Sequence, residues 1–345
     1  MSGPGCRPPW IRVRVGQSEA FQTTNGRLRA HGLHTVCEEA ACPNMGHCWA
    51  QGRATLLILG DRCTRGCRFC NVDKRPVLPP DTEEPRRVAE AVRDAGLREV
   101  VITSVTRDDL PDGGAAIWAA TVRAVREAMP GILIEVLVPD FGGAPDALDA
   151  VIQTRPDVFG HNIETVPRLY PHIRLQADGG SSKVLKFESS KVPASGAASC
   201  RPSSIASDCT RLPSNTDSAS RHADYARSLR VLRQASDAGL ITKTSLMLGL
   251  GETDEEVEAV MRDARAAGCS IFYAGQYLQP SPRHTPVVRY VEPDAFDALR
   301  DKAYALGFSF AAAAPLVRSS FHEEGQSAFC FSRRAAEAQS FFSPK

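Results

Sequence analysis

Apolar positions along this chain follow two alternating patterns. Six short runs are almost continuously apolar: Ala54–Leu59, Glu99–Thr103, Ile132–Val138, Asp157–Asn162, Ile241–Leu248 and Ile271–Leu278. Unbroken runs of this length suit parallel strands buried on both faces. Six further segments carry helical spacing: Glu84–Ala95, Ala115–Ala128, Ala144–Thr154, Ala223–Ala238, Asp254–Ala267 and Asp294–Leu306. Tyr225, Leu229, Leu232 and Ala235 form the apolar stripe of one of them. Gly96, Gly239, Gly268 and Gly307 stand just past four of the helices, where a left-handed residue closes the last turn. Thr253, with Glu256 three residues on, reads as a capping box.

Six βα units in series predict an α/β fold with a parallel sheet and right-handed crossovers. The sheet either closes as a partial (β/α)6 TIM-type barrel or lies open and doubly wound. In both cases reactive residues belong at the C-terminal ends of the strands. The alternation breaks at residues 175–222, which hold 12 Ser and few large apolar residues. This stretch reads as a disordered insertion between the fourth strand and its helix, emerging on the active face. It is expected to be tolerated, because each doubling of loop length costs only about 0.6 kcal/mol. Cys200 and Cys209 inside it read as free thiols rather than as a metal or redox pair.

Composition narrows the function. The 345 residues carry 41 Lys+Arg against 40 Asp+Glu, which rules out a strongly basic nucleic-acid binder and an acidic tail protein. No apolar stretch reaches the ~18 residues of a membrane span. Met1 to Trp10 show no secretory h-region, so a cytoplasmic location is expected. The length fits two domains or one α/β barrel. The number that changes the picture is 11 Cys, of which six fall between residues 37 and 70. They form two triplets, Cys37-x4-Cys42-x5-Cys48 and Cys63-x3-Cys67-x2-Cys70. Thiolate triplets suit iron–sulfur clusters. Structural zinc usually takes four ligands in paired knuckles, and neither triplet pairs that way. Zinc and a disulfide framework remain the alternatives. The second triplet directly follows the first strand, so site and topology agree.

Cys63-Thr-Arg-Gly-Cys67-Arg-Phe-Cys70 resembles the signature of the radical S-adenosylmethionine enzymes. Val36-Cys37-Glu-Glu-Ala-Ala-Cys42-Pro-Asn-Met-Gly-His-Cys48-Trp49 and Val317-Arg318-Ser319-Ser320-Phe321-His322 are similar to segments of the lipoyl synthase family within that superfamily. So are Thr103–Leu110, Ile134–Asp140, His161–Glu164, Met247–Glu252 and Gln276–His284. The resemblance runs from about Trp10 to His322, apart from the insertion.

The resemblance implies two [4Fe–4S] clusters. Cys63, Cys67 and Cys70 hold one, whose open iron binds the amino and carboxylate groups of S-adenosylmethionine. Cleavage of that molecule yields a 5′-deoxyadenosyl radical that abstracts hydrogen. Cys37, Cys42, Cys48 and Ser320 hold an auxiliary cluster, the sulfur source for C6 and C8 of an octanoyl chain on a carrier lysine. A hydroxyl is a harder ligand than thiolate, as suits a cluster that must come apart. The implied carriers are the E2 lipoyl domains of dehydrogenases and the glycine-cleavage H protein. The implied electron donor is a ferredoxin or flavodoxin. No nucleic acid or membrane is expected as a partner.

Outside the cluster ligands, Asn162 and Glu164 end the fourth strand and are candidate contacts for S-adenosylmethionine, turn chemistry being the plainer reading. Gly249 and Gly251 after strand five, and Arg107 with Asp108 and Asp109 after strand two, are weaker candidates. A strand-to-helix turn and a solvated loop are their plain readings. His47 and His284 read as structural. Phe321 departs from the Tyr usual in the family, and the tail after Glu324, with Cys330 and Phe341-Phe342, is not among the segments that carry the resemblance. The expected organisation is an arm at 1–52 bearing the first triplet, a barrel at 53–310, and a closing segment and tail at 311–345. Two other functions stay open: another radical sulfur-inserting enzyme, of the methylthiolating or biotin type, and a non-catalytic electron carrier or zinc-stabilised module.

Overall fold

The computed structural model describes residues 7–11, 18–40, 42–174, 223–321 and 325–333. The insertion expected at 175–222, with Cys200 and Cys209, lies outside them, as do Cys6, His322 and Phe341-Phe342.

Eight strands form one sheet: β1 His34–Thr35, β2 Arg53–Ile58, β3 Glu99–Ser104, β4 Leu133–Leu137, β5 Val158–Gly160, β6 Thr242–Leu248, β7 Ile271–Gln276 and β8 Phe310–Ala314. They pair strictly in chain order, β1 antiparallel to β2 and every later pair parallel. A doubly wound sheet reverses its order at a switch point. This one never does, and β1 and β8 stay unpaired with each other. The sheet is a partial barrel.

The helices are α1 Glu19–Ala30, α2 Val36–Glu39, α3 Met45–Ala50, α4 Glu84–Ala95, α5 Ala115–Ala128, α6 Pro145–Ile152, α7 Tyr170–Ile173, α8 Tyr225–Asp237, α9 Asp254–Ala266 and α10 Pro293–Ala305. Residues 325–333 form a last helix, α11. All six expected strands and helices are present, and α4 and α5 match to the residue. Gly96, Gly239, Gly268 and Gly307 have φ of +62°, +79°, +86° and +89°, the left-handed closures expected of them. Both halves of the Thr253–Glu256 capping box form. None of the described helices is long and apolar enough to cross a membrane.

Three features lie beyond the pattern. The short helices α2 and α3 are too brief for periodicity to show. Strand β8, within the segment expected to close over the barrel, is the run Phe-Ala-Ala-Ala-Ala, which has no β-branched residue. It extends because β7 lies beside it, with Tyr273 opposite Ala312. Its small side chains also leave room inside the barrel, where Leu133, Val158, Ile241, Ile271 and Tyr273 pack with Ala312, Val317 and Cys330 of α11. The third feature is α11 itself, whose buried face of Gln326, Ser327 and Cys330 packs on the barrel where the strands begin, while Gly325, Ala328 and Phe331 are exposed.

The arm preceding β2 docks through aromatic packing. Phe21 of α1 stacks on Trp49 of α3 at 5.3 Å, and the Thr24 hydroxyl donates to the Trp49 carbonyl at 3.0 Å. The chain after β8 is held as closely. The Gln276 amide donates to the Pro315 carbonyl at 3.2 Å, and Asn44 Nδ2 donates to the Leu316 carbonyl at 2.6 Å. Gly275 of β7 lies so near that a Cβ there would stand 1.9 Å from the Val317 carbonyl oxygen. Gly275→Ala must therefore displace the 315–321 turn. The expected cost is about 1–3 kcal/mol, read as a lower urea midpoint at constant m-value.

Candidate functional site

The loop after β2 carries the second cysteine triplet. Leu59 and Gly60 turn the chain with φ of +67° and +89°, and Glu84 accepts the Leu59 amide at 2.7 Å. The Cys63 sulfur accepts amides from Arg65 at 3.4 Å and Thr106 at 3.3 Å, while the Cys70 amide donates to the Cys67 carbonyl at 3.1 Å. Burial pushes the Cys70 thiol up to about 12, with Cys67 and Cys63 adding to it and the Val72 amide opposing. Burial likewise raises Cys67, against Arg174 and Arg65. Thiols this costly to ionise give up their protons readily only to a metal. Together with the Cys63 sulfur they make a three-sulfur donor set fit for a [4Fe–4S] cluster with one iron left free. Among the described residues no three His, Cys, Asp or Glu side chains converge as they would around one ion, whereas a cubane spreads its thiolates over separate irons.

The triplet's shape depends on Arg65, between Cys63 and Cys67. Its guanidinium donates twice to Asp108, both at 2.9 Å, and to Asp140 at 2.6 Å. Asp140 also accepts from Arg227 of α8 at 3.4 Å. Burial alone would raise the Asp140 carboxyl, but Arg65, His161 and Arg227 outweigh it and hold the group well below the usual carboxylate range. His284 closes the loop from the far side, its Nε2 3.2 Å from the Cys70 carbonyl and its Nδ1 2.9 Å from the Ser281 hydroxyl. That is a structural part, as expected of it.

Asn162 and Glu164 lie past the end of β5. Glu164 has φ +72° and accepts from Asn162 Nδ2 at 3.1 Å. Burial raises its carboxyl, and Arg174 and Asn162 lower it. Beside them Asn162 Oδ1, Arg174 Nε and His161 Nε2 are buried without a partner. An acceptor, a donor and an imidazole nitrogen left unpaired in one corner describe a polar cavity wall. Cys67 and Glu164 both feel Arg174, so this wall borders the cluster loop. Arg174 was not singled out by the sequence. Its one signal was its place in the segment at the edge of the insertion.

Two weaker candidates have structural explanations. Gly249 and Gly251 have φ of +99° and +111°. A Cβ on Gly249 would stand 2.4 Å from the Arg289 carbonyl oxygen, and Glu252 caps this turn by accepting the amides of Gly249 at 2.6 Å and Leu250 at 2.9 Å. Backbone geometry accounts for both glycines. Arg107, a candidate cofactor contact, is 2% exposed. It donates to Asp109 at 2.8 Å, Leu59 O at 3.2 Å and Leu78 O at 3.0 Å, and so ties the loop after β2 to the one after β3.

The first triplet lies elsewhere. Cys37 is on α2, Cys42 follows it with its amide 2.9 Å from the Cys37 carbonyl, and Cys48 is on α3. All three line one cavity against the first halves of β2 and β3. Ser320, Arg318 and Phe321 line the same cavity. Burial pushes Cys48 up to about 12, Cys37 and Cys42 adding to it and Arg53 opposing. Arg318, lowered by burial and raised by Cys42, is with Arg53 a cation at these sulfurs. The Phe321 ring stacks at 6.2 Å on His47, a packing role for both.

His161 generates a prediction. Its Nδ1 lies 2.9 Å from the Val138 carbonyl, and burial, with Arg174, pulls it down to about 4 against the favourable pull of Asp140. A histidine whose folded value lies below its unfolded 6.5 stabilises the fold above that pH and loses the contribution as pH falls towards 4. The metal-free chain should lose on the order of 3 kcal/mol over that window. In His161→Gln that acid slope should vanish, as measured by urea unfolding at fixed pH steps.

Comparison with known proteins agrees with this arrangement. The Radical SAM superfamily matches residues 57–184. The Streptococcus suis SuiB structure bound to S-adenosylmethionine superposes with a TM-score of 0.50 at 9% identity, covering 79% of this chain and 55% of SuiB, a likeness of fold. The lipoyl synthase of Chlorobaculum parvum is 43% identical over 326 residues, 94% of this chain and 96% of that protein. That of Methylococcus capsulatus is 46% identical over 328 residues, 94% and 88% of the two chains. That of Mycobacterium avium is 45% identical over 315 residues, 91% and 88%. Close relatives along nearly the whole length and a barrel that offers two thiol triplets lead to one assignment: the chain belongs to the lipoyl synthase family of radical S-adenosylmethionine enzymes.

Proposed function

We propose that this chain converts octanoyl groups on carrier-protein lysines into lipoyl groups, inserting sulfur at C6 and C8. In this reading Cys63, Cys67 and Cys70 hold a [4Fe–4S] cluster, and Cys37, Cys42, Cys48 and Ser320 hold a second. When bound, the first cluster and S-adenosylmethionine supply a carbon radical able to take hydrogen from an unactivated chain, and the second supplies sulfur. The observation that supports the second cluster is convergence: three cysteines of the arm and a serine from the other end of the chain line one cavity.

The chain's own residues prepare this chemistry. The Arg65–Asp108–Asp140 network holds the first thiol loop in shape. Asn162 Oδ1 offers an acceptor and Arg174 Nε a donor to the zwitterionic end or ribose of S-adenosylmethionine, and Glu164 braces Asn162. Gly249 and Gly251 shape the turn after β6 and Arg107 holds the loops after β2 and β3. Arg318 balances the negative charge of the arm's thiolates. The carriers are E2 lipoyl domains or the H protein, and the reductant is a ferredoxin or flavodoxin.

The test is mass spectrometry of an octanoylated lysine peptide after incubation with the reduced, reconstituted enzyme. Replacing two hydrogens by two sulfurs adds about 62 Da, and the intact enzyme should carry about eight irons and eight sulfides. Cys67→Ala should abolish cleavage of S-adenosylmethionine. Cys42→Ala should keep cleavage and lose the mass gain. Cleavage by the intact enzyme with no mass gain would sink the assignment.

A further inference from the structure

A buried ion pair inside the barrel has no part in the function so far. Lys243 Nζ of β6 donates to both oxygens of Glu135 of β4, at 2.9 and 3.2 Å, with the side chains 1% and 0% exposed. It also lies 4.0 Å from the centre of the Tyr273 ring. Two buried charges are tolerated only when their remaining hydrogen-bonding capacity is filled. Here Gln326 of α11 contributes to filling it. Its Oε1 accepts from Lys243 at 2.9 Å and from the Tyr273 hydroxyl, and its Nε2 donates to Glu135 at 2.7 Å. A carboxamide meets all three at once, because one end accepts and the other donates. Gln326 is fully buried, and its neighbour Ser327 nearly so.

The place of this seat in the chain gives it meaning. Gln326 follows Ser320 by six positions. On the other side of Ser320, the Ser319 hydroxyl accepts from Asn162 Nδ2 at 3.0 Å. Ser320 thus sits between two tethers, one to the end of β5 and one to the ion pair. We propose that Gln326 is a positioning residue for Ser320: by seating α11 in the Lys243–Glu135 pair, it holds the chain on which Ser320 reaches the cavity of Cys37, Cys42 and Cys48. The proposal rests on the second cluster of the preceding section.

The test uses the full chain with Gln326→Leu, which keeps the bulk and removes the bonds. In the metal-free chain, amides of residues 325–333 should exchange with solvent at least tenfold faster than in the parent, while those of β2 to β7 stay unchanged. After reconstitution, a ferrous chelator should strip about four of about eight irons several-fold faster than from the parent. Ser320→Ala should show the same acceleration, and Gln326→Leu/Ser320→Ala should be no faster than Ser320→Ala alone. Tyr273→Phe, which removes one bond to Gln326 and keeps the ring over Lys243, should shift both readouts the same way by less, and it serves if the leucine variant fails to fold. Unchanged exchange in 325–333, or single-variant accelerations that multiply in the double variant, would overturn the proposal. A parent chain holding only about four irons sinks the second cluster instead, and the exchange measurement still decides whether Gln326 seats the helix.

Discussion

The carboxylate of Asp140 joins parts of the chain that have no other reason to meet. It binds Arg65, 75 residues earlier, and Arg227, 87 residues later. Arg65 stands inside the cluster loop and Arg227 on the helix that follows β5 in the barrel, so one buried anion fixes the loop against the far wall. Desolvation makes such an anion expensive, and the two guanidiniums, with the Gly142 amide at 3.1 Å, make it tolerable. The loop's three thiols inherit their spacing from that bargain. Asp108 completes it, and Arg107 beside it clamps the neighbouring turn.

The second organising constraint is the unclosed sheet. A parallel sheet that curls without sealing leaves a seam between its first and last strands and an interior that must be filled. The arm of α1 to α3 covers the β2 side, and the 315–321 turn comes in from β8. The cavity lined by Cys37, Cys42, Cys48 and Ser320 forms where these two coverings meet. At the end of the barrel where the strands begin, α11 lays its buried face over Leu133, Val158, Ile241 and Ile271. The incompleteness of the barrel thus becomes the source of its second site.

Much of this was legible in the sequence, and the limits have physical causes. Buried parallel strands announce themselves as apolar runs, and helices Glu84–Ala95 and Ala115–Ala128 carry full periodicity. The partial barrel could not be told from a doubly wound sheet, because βα alternation is common to both and only pairing order separates them. Strand β8 escaped notice because four alanines have no strand preference of their own. The cysteines stood out through spacing. Arg174, Lys243, Glu135 and Gln326 did not, because a buried charge is recognised by its partners, and those partners are far away in the chain. Gln326 and Glu135 are 191 positions apart.

The same separations impose an order of assembly. The loop of Cys63, Cys67 and Cys70 closes on itself within eight positions, and β2 and β3 lie close by in the chain. The arm's cavity is completed only when Asn44 meets the Leu316 carbonyl, 272 positions away. Closing a loop of that length, and docking α11 on a surface that several parallel strands must first define, are late events in folding. The loop of the second triplet has long-range contacts of its own, to Arg227 through Asp140 and to His284, so it is complete only once β7 and the turn after it are in place, whereas the arm's cavity waits for Leu316 and Ser320. The fold therefore sets a sequence of assembly, in which the loop of Cys63, Cys67 and Cys70 is in place before the cavity lined by Cys37, Cys42, Cys48 and Ser320.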